Sequence, residues 1–208
     1  MKKLDSVTKL TEFGRVRLSP NFFMRDFLYS DIAAIHGLNN APDDPDLAIA
    51  AGTRLCEDLL EPLQNQFGRI AIRSAYRSPE VNGLGNAMQR CGKPGYNCAV
   101  NEANYAGHIW DRRDAAGQMG ATACIVVPGF YDRFHAEGDW TRLAWWIHDH
   151  LPYSELYFFP VYFAFNIIWH EVPKRRVDSY VAPRGCLTKP GMANHSGSHQ
   201  EHWRPIIE

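Results

Sequence analysis

No run of about 18 apolar residues exists anywhere in the 208-residue chain, so a transmembrane helix is not expected. The basic start, Met1-Lys-Lys-Leu-Asp-Ser, is not followed by an apolar stretch, so no signal peptide is expected and the chain reads as cytoplasmic on synthesis. A strong charge of either sign is missing too. The formal net charge of −1 argues against a protein that holds nucleic acid by bulk charge. Internal repeats are absent. Cysteine is sparse and odd in number: Cys56, Cys91, Cys98, Cys124 and Cys186. Without a signal that fits a reducing compartment and free thiols. Cys91 and Cys98 flank a Gly-Lys-Pro-Gly-Tyr-Asn loop and would close a small ring only in an oxidising setting.

What is present is an ordinary globular composition, 45% hydrophobic and 22% charged, at a length that suits one domain. Aromatic residues reach 12%, with six tryptophans, which indicates a dense core or a carbohydrate- or peptide-facing cleft. Residues 1–17 are polar and peripheral, 18–182 form the compact domain, and 183–208 form a Gly/Pro/Ser-rich tail. Ser19-Pro20 suggests a helix cap and a short helix to about Ala34. Leu47, Ala51, Leu55, Leu59 and Leu63 recur every four residues, predicting a helix over 46–66 that stops at Gly68, with Pro62 kinking its last turn. Ile70 and Ile72 alternate with polar neighbours as in a strand. Residues 82–104 read as an irregular loop. A strand around Ile125, a helix over 139–151 with Leu143, Trp146, Ile147 and Leu151 on one face, and strands near 155–159 and 164–170 complete the pattern. His148 and His150 read as surface residues, and His195, His199 and His202 as part of a mobile polar tail. The order of elements predicts an α+β fold: a small, mostly antiparallel sheet with flanking helices.

The chemistry centres on residues 104–126. His108 opens the stretch, Cys124 lies at the expected start of a strand, and His170 ends a later strand. Two adjacent strands that present ligands can build a metal site on rigid backbone. The alternative for both histidines is structural hydrogen bonding. Arg73 and Arg77 lie where an earlier strand runs out; they read either as solvated charges or as a bidentate grip on a carboxylate.

The stretch Ser74-Ala-Tyr-Arg77-Ser-Pro-Glu-Val-Asn82 resembles the zinc D-Ala-D-Ala carboxypeptidases and dipeptidases, which share a fold with the hedgehog signalling domain. Leu18-Ser-Pro-Asn-Phe, Asn40-Ala-Pro-Asp-Asp-Pro, Leu60-Glu-Pro-Leu and Trp169-His170 follow the family's order, so the resemblance spans most of residues 18–180. It implies a hedgehog/DD-peptidase-like fold and a zinc metallopeptidase that cleaves peptidoglycan peptides with metal-activated water. The family's zinc ligands carry over to His108 and His170. Its middle aspartate does not: Ala115 stands there, and Cys124, reached by allowing an insertion, or Asp111 or Asp114 would replace it. Arg77 would bind the substrate carboxylate or polarise its carbonyl in catalysis, with Tyr76 and Arg73 beside it. The family's acid before the last histidine is missing, which leaves Glu155 and Glu171 as substitutes. The resemblance therefore also admits a degenerate member that binds peptidoglycan or a protein partner without cleavage. Cell-wall chemistry without an export signal would suit a phage-associated protein released at lysis.

Overall fold

The computed structural model describes residues 4–207. Helix α1 (Val7–Gly14) is capped by Ser6 and buries Phe13. The Leu18-Ser-Pro-Asn-Phe segment does not start a helix. The Ser19 hydroxyl donates to Glu61 (2.7 Å), and the Asn21 backbone and side-chain amides donate to the same carboxylate (2.7 Å each). Burial alone would raise the Glu61 carboxyl, but these bonds outweigh it and hold it below its ordinary value. The serine expected as a cap is thus spent on a long-range tie. A 3₁₀ turn (Met24–Phe27) follows, and α2 (Asp31–His36) is capped instead by Ser30 and ended by Gly37 at φ 64°.

The predicted leucine helix is present as one continuous rod: α3 (Pro45–Leu55), a wide π turn (Cys56–Leu60) and α4 (Glu61–Phe67). Pro62 widens the helix. Proline has no N–H and its ring crowds the carbonyl four residues earlier. The backbone responds with a five-residue turn, in which Glu61 N donates to the Cys56 carbonyl. Leu55, Leu59 and Leu63 are fully buried, each worth about 1.5–3 kcal/mol.

The remaining elements in order are β1 (Ala71–Ser74), α5 (Pro79–Arg90), α6 (Asn101–Asn104), β2 (Gly120–Val126), α7 (Pro128–Phe134), α8 (Thr141–His150), β3 (Glu155–Phe158), β4 (Phe165–His170), β5 (Arg176–Ser179), β6 (Gly185–Thr188) and α9 (Gln200–Trp203). The fold is α+β, as expected. The six strands form one open sheet in the order β1-β2-β4-β3-β5-β6, antiparallel except for the parallel pair β3–β5. One face carries Ala121, Ala123, Ile125, Leu156, Phe165, Ile167 and Trp169 into the main core, where α3 packs on β2 and β4. The opposite face carries Cys124, Asn166 and Tyr157 in paired register.

Several local expectations change. The segment expected as a loop from 82 begins as helix α5, capped by Ser78. Its Gly85 serves packing: a Cβ there would lie 2.5 Å from Cys98 Sγ. Cys124 is the fifth of seven residues in β2, not its first. After β4 the chain adds two strands beyond those expected, β5 and β6. His148, His195 and His199 are held in contacts with the fold. His148 is buried, between the Tyr153 hydroxyl (2.6 Å) and the His195 carbonyl (2.9 Å). His199 stacks on Trp145 at 4.0 Å and pairs with Asp149 (2.6 Å). Trp203 Nε1 and the His199 backbone N–H also donate to Asp149, at 2.7 Å each. Asp149→Ala removes all three bonds at once. It is expected to cost about 2 kcal/mol and to speed chymotryptic cleavage after Trp203, both read by urea unfolding beside limited proteolysis. Among the described residues no helix is long and apolar enough to cross a membrane.

Candidate functional site: an arginine-lined cleft

The cleft is built where β1 runs out beside β2. In the register of β1 against β2, Ile72 faces Ile125 but Ser74 faces Cys124, so Arg73 is the extra residue of a bulge. The chain beyond is gripped by Asn40, whose side-chain amide donates to the carbonyls of Leu28 and Tyr76 (2.9 Å each) while its oxygen accepts from Ser78 N (2.7 Å). Arg77 N donates to the His108 carbonyl (2.9 Å), which ties this turn to the loop that carries the histidine. That loop closes on itself through Ala106 N to Arg112 O (2.8 Å) and Ile109 N to Asn104 O (3.0 Å). Asn82, fully buried, ties α5 to Ala99 and Asn101.

These supports gather Arg73, Ser74, Tyr76, Arg77, Cys98, His108, Cys124, Phe159 and Asn166 around a cleft of about 450 Å³. His108 is buried, and its Nδ1 lies 2.7 Å from the Ala75 carbonyl. A carbonyl only accepts, so Nδ1 carries the proton and Nε2 keeps a lone pair. Burial, with the Arg77 charge added, lowers the imidazole to about 3, so the ring is neutral at physiological pH. Burial pushes the Cys124 thiol up, against the opposing pull of Arg73 and Arg77. Burial lowers the Arg77 guanidinium, against the nearby thiols of Cys98 and Cys124. Arg77 Nη1 donates to Cys98 Sγ at 2.6 Å, and its buried Nε has no partner. Among the described residues no carboxylate pairs with Arg73 or Arg77.

The other residues singled out from the sequence lie elsewhere. Cys124 faces Asn166 across the sheet, whereas His170 faces Gly120. The four-residue offset is about 13 Å along the strand. His170 instead pairs with Asp114 (3.2 Å), and Asp114 also accepts from Ala116 N and Gln118 N. Asp111 is fully enclosed and accepts from Asp43 N (2.8 Å) and from the Tyr76 hydroxyl (3.1 Å), so it braces the fold. Glu155 pairs with Lys174 (2.8 Å) and Glu171 accepts from Met119 N (2.7 Å); neither lines the cleft. The proposed zinc ligands are therefore not collected at one place. His108 and Cys124 share the cleft with the guanidinium groups of Arg73 and Arg77 and with the Asp31 carboxylate. Among the described residues no group of three or more His, Cys, Asp or Glu is placed to hold a metal ion.

Sequence reasoning missed Cys98 and Asn166. Asn166 shares the face of His170 by simple alternation, but nothing local says which of them meets Cys124. All five cysteines are free, and Cys98 sits over Gly85 beside Arg77. Compared with protein-family models, curated proteins and solved structures, the chain gives no significant match.

Proposed function

We propose that this cleft captures the terminal carboxylate of a peptide, a peptidoglycan peptide if the resemblance in the Tyr76–Asn82 stretch holds, and retains it without cleavage. One observation carries this reading: the Arg77 guanidinium is set into the cleft wall with no carboxylate partner and with a buried Nε that nothing satisfies. An unpaired buried donor is costly, and a guanidinium matches a carboxylate in a two-bond fork. Arg73 adds a second positive charge at the bulge. Neutral His108 supplies an Nε2 acceptor, suited to a peptide N–H, and Asn166 offers both donor and acceptor.

The test is calorimetry with the tripeptide Ala-D-Ala-D-Ala as free acid and as amide. The acid is expected to bind at least about 10-fold more tightly, and Arg77→Met to erase that difference, since a charge-assisted bond is worth about 1.5–3 kcal/mol. Equal binding of acid and amide, or no binding of either, would overturn the reading. A peptidase reading attaches to His108 and Cys124, which line the same cleft. Release of D-alanine from the acid with zinc added would favour cleavage over capture.

A further inference from the structure

Part of the cleft wall is a segment that little else holds in place. Between α5, which ends at Arg90, and α6, which begins at Asn101, the chain runs Cys91-Gly-Lys-Pro-Gly-Tyr-Asn-Cys98 without regular structure. Gly92 N and Lys93 N still bond back to α5, at the Gln89 and Met88 carbonyls (2.9 and 3.0 Å). Cys98 is fixed on the same helix: its N–H donates to Gln89 Oε1 and its carbonyl accepts from Asn86, at 2.7 Å each. Residues 94–97 bridge the two anchors. Among the described residues their one hydrogen bond joins the Tyr96 hydroxyl to His36 Nε2, at 2.7 Å. Gly92 and Gly95 lie at φ 71° and 86°, and a Cβ on either would meet nothing within 4 Å. Gly95, Asn97 and Cys98 nevertheless line the cleft together with Arg73 and Arg77. Helix α2 is the firmer side. It lends Asp31 and Ile32 to the cleft and holds Tyr96 through His36 at its other end. Ile32 is packed on α5, its Cδ1 only 2.8 Å from where a Gly85 Cβ would stand.

We propose that residues 92–97 form a gate on the arginine cleft, hinged at Gly92 and Gly95 and latched to α2 by the Tyr96–His36 bond. A segment with exposed backbone and few buried contacts opens locally far more often than the whole domain unfolds. A single hydrogen bond contributes little net stability, so the latch holds the gate shut without locking it. With the gate shut, Cys98 at its end keeps Arg77 Nη1 occupied at 2.6 Å, and the residue is 1% exposed. Lifting residues 94–97 removes part of the wall beside that thiol. A gate acts on any occupant of the cleft, so it stands or falls apart from the carboxylate reading.

The free cysteines serve as reporters. Cys91 is exposed, Cys56 is fully buried in the core, and Cys98 lines the cleft. The full chain is treated with iodoacetamide and each thiol is followed by peptide mass mapping, wild type beside Tyr96→Phe. Loss of the latch is expected to speed alkylation of Cys98 about 5-fold, the worth of one hydrogen bond, with Cys91 and Cys56 unchanged. An equal Cys98 rate in the two proteins would overturn the gate. If Cys56 also speeds up, the variant has loosened the whole fold, and the wild type alone decides. Opening a gate exposes little surface, so Cys98 alkylation is expected to stay nearly level in urea below the unfolding transition while Cys56 alkylation climbs steeply. A Cys98 rate that climbs in step with Cys56 would mean that this thiol is reached only by unfolding, and would overturn the gate.

Discussion

Gly120→Ala is expected to be the most damaging single-methyl change in this chain. The added Cβ would collide with the Ala106 carbonyl oxygen, the His170 ring and the Trp169 carbonyl oxygen. Two of these are backbone, which cannot step aside as a flexible side chain would. The loop that carries His108 therefore rests directly on the start of β2, and close packing leaves no space for a methyl. A cost of about 4 kcal/mol is expected, with the midpoint of thermal unfolding lowered by roughly 10 °C. Gly83→Ala is the control. Its Cβ would meet nothing nearer than Asn101 Nδ2 at 3.6 Å, and helix α5 should gain about 0.5–1 kcal/mol from losing a glycine. A Gly120→Ala protein that melts within 2 °C or so of the wild type would mean that this loop is not seated on β2.

Lowering the pH should unload the other large effect. His108 titrates at about 3 in the folded chain, because burial and the Arg77 charge both disfavour the imidazolium. Its unfolded value is about 6.5. The unfolded chain therefore takes up the proton first. The stability held by neutral His108 is complete above about pH 6.5 and is lost as pH falls from there towards 3, by about 1.4 kcal/mol per pH unit. His108→Gln keeps an N–H for the Ala75 carbonyl and does not titrate. Urea unfolding at pH 7.5, 5.5 and 4.5 should show the variant gaining on the wild type at each step below 6.5. Asp111, whose carboxyl burial raises, is common to both proteins and cancels. The Asp149 carboxyl is held low by His199 and Trp203 against its burial, so its contribution is present above about 4 and is lost only below that, outside the window. A constant difference between the two proteins from pH 7.5 to 4.5 would show that His108 is not held neutral.

The elements that follow from short-range pattern are the ones legible in the chain. Leucines at four-residue spacing put one stripe on a helix whatever surrounds it, and Pro62 had to disturb that helix because it lacks an N–H and crowds the turn before it, which is widened here. Alternation at Ile70 and Ile72 and the apolar runs near 125 and 165 likewise marked strands. Arg77 and His108 were legible as candidates because arginine and histidine at the ends of such elements have few purely local uses.

Strand register was not legible. Side chains alternate with a period of two, so Asn166, Ile168 and His170 share one face in any pairing, and a local pattern cannot say which of them stands opposite Cys124. Non-local hydrogen bonding placed Asn166 there and left His170 with Asp114. The same holds for Ser19, claimed by Glu61 across 42 positions, and for His199, claimed by Asp149 across 50. A polar side chain takes the partner that desolvation makes most valuable, and in these cases that partner lies far along the chain. Periodicity thus marked the leucine helix and the strands near 125 and 165 but not α5, β5 or β6; contacts between distant segments settle which side chains meet, and with them the chemistry of the cleft.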